Sequence, residues 1–222
     1  MNSKLCAYFG NPWVGMFIKT NDEKTFVPLD THDKLINKIS ENLKTEVIRL
    51  YIAGSNLLGL YIAMNSKGAV LPSIASDEDI AITKKSGLNV HVCKDKNNAY
   101  GNNILVNDYG AVFNERLDKS EVKNIEDALG VEAFSGTIAA YTTVGSACIA
   151  NNEGFLAHFA ASETELLNIK EKLKVNGGKG SVNMGVGFIG YGVVANKHGY
   201  LAGEQTSAFE LGRVEEALGY LK

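Results

Sequence analysis

The sequence predicts an α/β fold: a fivefold pseudosymmetric α/β propeller of ββαβ units closed into a ring. Three observations predict it. Asparagine recurs at Asn21, Asn65, Asn107, Asn151 and Asn196, at spacings of 44, 42, 44 and 45 residues. A glycine stands six positions before each (Gly15, Gly59, Gly101, Gly145, Gly190), and in four of the five copies another stands three positions after. Eleven positions beyond the asparagine comes a helix start signal, Ser76, Asp118, Ser162 and Ser207, each with an acid three residues on: Asp79, Glu121, Glu165 and Glu210. Recurrence at a fixed period of this length is the signature of a repeat architecture.

Each unit opens on a hairpin. An Asn-x-x-Gly stretch between apolar runs reads as a short loop, with Asn opening the turn and Gly taking the left-handed conformation at a bulge. The flanking runs read as strands, Leu60 to Met64 before and Ala69 to Leu71 after, then Ile104 to Val106 and Ala111 to Phe113. The first copy departs, with Lys24 in the glycine's place. A helix follows, because a cap residue with an acid at its third following position satisfies free backbone N–H groups. Apolar residues then recur at helical spacing, as at Leu166, Leu167, Ile169 and Leu173. The first copy offers His32 and Leu35 here, so its helix is expected to begin earlier, at Asp30 or Thr31. A last short strand leads to the next glycine, as in Leu88 to Val92 and Val131 to Phe134; Gly177, Gly178 and Gly180 read as a flexible or tightly turned connector.

The repeats fall at approximately 10–48, 54–93, 96–135, 140–178 and 185–222, within one domain spanning 1–222. No Pro-rich linker or charge run separates them. A unit this small cannot bury its apolar face alone, and a closed ring removes exposed edges. The fifth unit lacks a strand after its helix, and Leu5 to Phe9 have no unit of their own, so residues 1–9 are expected to supply the closing strand.

Composition narrows the function. A chain of 222 residues, 45% hydrophobic and 21% charged, is ordinary globular material able to bury a sizeable core. Its net charge of −3 carries no basic excess for nonspecific nucleic-acid binding, so any such contact is local. Cys6, Cys93 and Cys148 fit neither a disulfide framework nor paired zinc spacing, and read as small buried side chains in a reducing compartment. No signal-peptide core follows the N-terminus, and the apolar stretch near Leu57 to Met64 is too short to span a bilayer. The expectation is a cytoplasmic protein with no membrane partner.

Catalytic signals are sparse. His32, His91, His158 and His198 share no metal-ligand spacing and read as structural. The run Asp77-Glu78-Asp79 sits at a helix start, where dipole and cap account for it. A P-loop is absent, and the glycines after Val175 follow no phosphate-cradling pattern. No catalytic residue, cofactor or metal is therefore expected. The glycines six before each Asn are more informative: in a ring they occupy five equivalent positions near the axis, where backbones approach closely. The residues just after them, Met16, Leu60, Asn102, Ser146 and Tyr191, vary in chemistry, and symmetry places all five on one end. Variation at equivalent positions is what an asymmetric binding site on a symmetric scaffold requires.

A fivefold propeller of ββαβ units is the pentein fold, and the chain resembles the translation initiation factor 6 family along its whole length. The matching stretches are Asn65-Ser66-Lys67-Gly68-Ala69-Val70-Leu71-Pro72, Gly101-Asn102 running on to Asn107-Asp108-Tyr109, Thr143-Val144-Gly145-Ser146, and Val182-Asn183. The chain ends just after its last helix, without the C-terminal tail of eukaryotic members, and so resembles the archaeal form. The resemblance implies a monomeric anti-association factor. Such a protein docks on the large ribosomal subunit beside the sarcin-ricin loop, chiefly through a ribosomal protein there with local rRNA contact, and blocks joining of the small subunit. Maturation of the large subunit is a further role of the family. Asn102, in the Gly-Asn of the third repeat, and Asn56 and Leu60, in Ile52 to Leu60, resemble segments of the family's ribosome-facing surface, and some relatives carry arginine where this chain has Asn56 and Leu60. With Ser146 and Tyr191 from the ring argument, these make the candidate docking set. Pentein enzymes that modify guanidine compounds are the alternative, as is a scaffold for another partner. Those enzymes use a Cys nucleophile late in the last repeat, and the last cysteine here is Cys148, in the fourth.

Overall fold

A computed structural model describes residues 4–221. The first three residues of the expected closing segment 1–9, and Lys222 at the end of the fifth repeat, lie outside that range. The described residues form five three-stranded sheets, each a hairpin with a parallel strand added, in four of them across a helical crossover. In the second repeat Ala63–Met64 runs antiparallel to Gly68–Pro72, which pairs in parallel with Asn89–Cys93 after the helix Asp77–Lys85. Parallel strands need such a crossover, and the helix supplies it. The fifth sheet takes its parallel strand from the other end of the chain: Leu5–Cys6 pairs with Gly199–Gly203, in register Leu5↔Ala202 and Cys6↔Gly203.

Each long helix covers the sheet of the repeat before it, so the apolar cores are shared between neighbours. One core joins Val70 and Cys93 of the second repeat to Ile125 and Leu129 of the third; another joins Leu201 of the fifth to Leu35, Ile39 and Leu43 of the first. No unit could bury these faces by itself, which is the physical reason the five close on one another.

The axial glycines lie where the ring argument puts them. A Cβ on Gly59 would stand 1.8 Å from the carbonyl oxygen of Gly15, one on Gly101 1.9 Å from that of Gly59, and one on Gly145 2.2 Å from that of Gly101. Gly190 and Gly15 complete the cycle, at 2.2 Å from Gly145 and 2.1 Å from Gly190. Only hydrogen fits at these five contacts.

The recurring asparagines are buried and form a second ring. Each Oδ1 accepts the N–H groups two and three residues on, as Asn65 does from Lys67 and Gly68, both at 3.0 Å. Each Nδ2 donates to the carbonyl of the next asparagine: Asn21 to Asn65 at 2.8 Å, Asn65 to Asn107 at 3.1 Å, Asn107 to Asn151 at 3.2 Å, Asn151 to Asn196 at 3.3 Å and Asn196 to Asn21 at 2.9 Å.

Five expectations are corrected. The glycines three after each asparagine are not left-handed. They are required instead by the carbonyl of a neighbouring helix: a Cβ on Gly68 would stand 2.0 Å from Ala128 O, on Gly110 2.1 Å from Lys172 O, and on Gly154 2.1 Å from Ala217 O. Lys24 is tolerated because the helix facing it, Asp77–Lys85, ends one residue before the equivalent position, Ser86. The first long helix starts at Asp33 with His32 as its cap, since the imidazole Nδ1 accepts from Leu35 N at 3.1 Å and does the work of a hydroxyl. Asp118 caps without the reciprocal box, bonding Ser120 N. The segment Asn176–Gly180 is a strand paired with Gly154–His158, its bare Gly177 covered by the Phe155 ring. Finally, the run read as a strand from Leu60 is a short helix, Leu58–Tyr61, before the strand Ala63–Met64, and the same four-residue helix recurs at Val14–Phe17, Tyr100–Asn103, Val144–Ala147 and Ile189–Gly192.

Candidate functional site

The two ends of the ring differ in kind. The Asn turns bond to carbonyls at helix C-termini, Asn65 to Leu129 O at 2.8 Å and Asn107 to Leu173 O at 2.9 Å, so that end carries turns and helix ends. The opposite end carries the helix N-termini, the short axial helices and the turns that precede them. Those turns are tied to the acids of the long helices: Asp79 accepts from Ala53 N at 2.9 Å, Glu165 from Ala140 N at 3.1 Å and Glu210 from Gly185 N at 2.8 Å. Burial opposes ionisation of Glu165 and Glu210, but hydrogen bonds from Ser162 and Ala140, and from Ser207, Gly185 and Ser181, hold both carboxyls below the usual range. They stay charged and fasten the rim.

This end also carries a group of exposed apolar side chains, while Tyr109 stands exposed in an Asn turn at the other. Phe9, Tyr141, Phe159 and Met184 are 62%, 43%, 52% and 76% exposed, with Leu29 and Ile74 beside the helix starts. Phe188, at the start of the last short helix, lies 4.9 Å from Tyr141 and 5.8 Å from Tyr191, ring centre to ring centre. His158 packs among them, and burial pushes its pKa down, with Glu165 opposing; its Nδ1 accepts from Ala160 N at 3.0 Å. Clustered exposed aromatic and aliphatic surface of this kind marks an interaction site.

The sequence-derived set lands unevenly on it. Leu60, Asn102 and Tyr191 are half-buried members of the short axial helices, and Asn56 is half-buried in the segment leading into one of them. Asn102 is therefore within a helix, not at a strand start, and less open than an isolated surface residue. Ser146 does not belong to an accessible face: it is 1% exposed and its hydroxyl donates to Thr143 O at 2.7 Å. A small polar residue can turn inward to its own helix, where a longer side chain could not. Sequence reasoning missed the rim residues Phe9, Tyr141, Phe159 and Met184, of which only Phe9 and Met184 carry a local signal, a large apolar residue beside Gly.

The axis itself is narrow. It encloses about 60 Å³, lined by the five glycines with Lys19, Thr20, Asn102 and Cys148, against roughly 300–1,000 Å³ for small-molecule pockets. Burial raises all three thiols, Cys6 to about 12 and Cys148 well above its ordinary value; for Cys93 a hydrogen bond from Tyr100 offsets part of the rise. None is an activated nucleophile. Among the described residues one group could hold a metal, His91, Cys93 and Glu121, between the second and third repeats. Among the described residues no helix is long and apolar enough to cross a membrane.

Comparison with known proteins bears on the same chain length. The model of the eIF-6 family matches residues 3–217. Translation initiation factor 6 of Methanocaldococcus jannaschii is 38% identical over 222 residues, covering 96% of this chain and 97% of that protein. Those of Pyrobaculum aerophilum and Picrophilus torridus are 36% and 35% identical, covering 95% and 97% of this chain and 96% and 99% of theirs.

Proposed function

The chain belongs to the eIF-6 family, and from that premise we propose that it acts in translation initiation as a noncatalytic factor that binds the large ribosomal subunit. Docking is through the short-helix end of the ring, beside the sarcin-ricin loop, and it keeps the small subunit from joining prematurely. It works in the cytoplasm as a single copy, its main contact a ribosomal protein with rRNA touched locally, and a part in large-subunit maturation fits the same contact. The observation that carries the choice of end is the concentration of exposed Phe9, Tyr141, Phe159 and Met184 around the axial helices. An interface of this make-up is a packed apolar patch with a polar rim. A guanidine-modifying reaction finds no support in the raised Cys148 thiol beside an axis of about 60 Å³.

Co-sedimentation of the protein with purified large subunits at rising salt tests the reading. Binding that persists at high salt is expected, since exposed charge contacts are screened while packed apolar ones are not. Light scattering of mixed subunits should show fewer joined ribosomes when the protein is present. Failure to pellet with large subunits at any salt would overturn the reading.

A further inference from the structure

The seam between the second and third repeats breaks the fivefold pattern at three side chains. In the second, fourth and fifth repeats the acid at the third helical position accepts the N–H of its own cap residue: Asp79 from Ser76, Glu165 from Ser162 and Glu210 from Ser207. In the third repeat the cap N–H, that of Asp118, goes to Asp95 instead. Thr137 and Ser181, thirty residues after their Asn, donate hydroxyl hydrogen bonds to Glu165 at 3.0 Å and Glu210 at 2.8 Å. The same position after Asn65 is Asp95, which as a carboxylate has no proton to give. Glu121 is thereby released from the cap and turns to Lys94 N at 3.2 Å and to His91, Oε2 to Nε2 2.7 Å.

This diversion brings three donor types together. His91 and Cys93 are two apart on the strand Asn89–Cys93 and so share one face; Glu121 comes from the first turn of the helix packed above it. One ligand atom from each lies within 4.8 Å of the others. Zinc bonds of about 2.0–2.3 Å set tetrahedral donors roughly 3–4 Å apart, so side-chain rotation of about an ångström closes the site. Cys93 is fully buried while the His91 and Glu121 side chains are 21% and 12% exposed, leaving an approach for the ion and for a water. The Tyr100 hydroxyl stands beside the sulfur as a supporting donor.

We propose that His91 Nε2, Cys93 Sγ and a Glu121 carboxylate oxygen bind zinc, with water as the fourth ligand, stapling the second repeat to the third. One thiolate and one carboxylate neutralise the dication, with imidazole neutral, so little net charge is buried. On binding, the Cys93 proton leaves to solvent, the proton that His91 Nε2 shares with Glu121 passes through solvent to Nδ1 so that the imidazole stays neutral, and the His91–Glu121 hydrogen bond gives way to two coordinate bonds.

The test uses the full chain freed of metal and titrated with cobalt(II), a chromophoric stand-in for zinc. One equivalent should bind with a thiolate-to-cobalt charge-transfer band in the near ultraviolet, and one equivalent of zinc should abolish it. Glu121→Gln and His91→Gln should each weaken binding at least about tenfold, the scale on which even supporting residues act; Cys93→Ser should remove the band. Because a buried substitution can misfold, the wild-type chain is also alkylated at intermediate urea with and without zinc. Protection of Cys93 over Cys6 and Cys148 is expected, read by peptide mass. Absence of the band in the wild-type chain, variants that bind as tightly as wild type, or protection falling on Cys6 or Cys148 would overturn the site.

Discussion

At the scale of one residue, Asn107 uses its whole amide. Oδ1 accepts from Tyr109 N and Gly110 N at 3.0 and 3.1 Å, and Nδ2 donates to Asn151 O and Leu173 O at 3.2 and 2.9 Å. Asn107→Ala would strand these backbone groups in the interior, and since an unsatisfied buried group costs about 1–3 kcal/mol, urea unfolding should show a loss of at least about 2 kcal/mol. The docking face gives a sharper contrast. Asn102→Arg adds a long cation to a half-buried axial position, where a packed partner would have to desolvate it; binding to large subunits should fall roughly 30-fold, about 2 kcal/mol, with the melting temperature nearly unchanged. Ser146→Ala, one residue after the next axial glycine, should leave binding intact and cost about 1 kcal/mol of stability through the lost bond to Thr143 O. Pelleting at wild-type affinity by the Asn102 variant would put docking on another face.

At the scale of the element, the four-residue axial helices are set by contact and not by propensity. Helices this short are not stable alone, and Tyr100–Asn103 holds because Gly101 lets its backbone reach that of Gly59. Gly101→Ala places a methyl 1.9 Å from Gly59 O, so two helices must part. A loss of about 3 kcal/mol is expected in denaturant unfolding, at the upper end of overpacking costs. Gly212 is the control: it lies on the exposed face of the helix Ala208–Ala217 with nothing near its absent Cβ, and Gly212→Ala should gain about 0.5–1 kcal/mol. Equal effects at the two sites would refute the close-packed axis.

At the scale of the molecule, closure and the buried axis set the stability. Removing residues 1–9 takes the parallel partner from Gly199–Gly203 and strips Cys6 and Tyr8 from the core shared by the first and fifth repeats. The ring is expected to unfold as one unit, with a melting point lowered by roughly 10 °C, since about 1 kcal/mol is worth 2–4 °C at this size; an unchanged melting point would show that closure is dispensable. Lys19 is half-buried and lines the axis. Burial pushes its amine down from 10.5 to about 8. Between those values the unfolded chain binds more protons than the folded one, so stability rises with pH across that window. Lys19→Met should be more stable than wild type at pH 7 by about 1–2 kcal/mol, and the difference should shrink as pH climbs from 8 towards 10. A gap that stays constant with pH would mean the amine is fully hydrated.

The sequence by itself determined what is local and periodic: the five hairpins, four of the five helix caps, the axial glycines and the strand that joins the chain's two ends. Each rests on a short-range rule, a turn, a cap or an absent side chain, that five copies repeat until it stands above noise. Only the tertiary structure decided why Gly68 must be glycine, since the reason is Ala128 O on a neighbouring repeat, and that Ser146 turns inward while Asn102 does not. The same holds for His91, Cys93 and Glu121, thirty residues apart at their extremes, which meet only because a helix of one repeat is laid over the sheet of another. Contacts between repeats have no period in the chain, and they are where this symmetric scaffold becomes one particular protein.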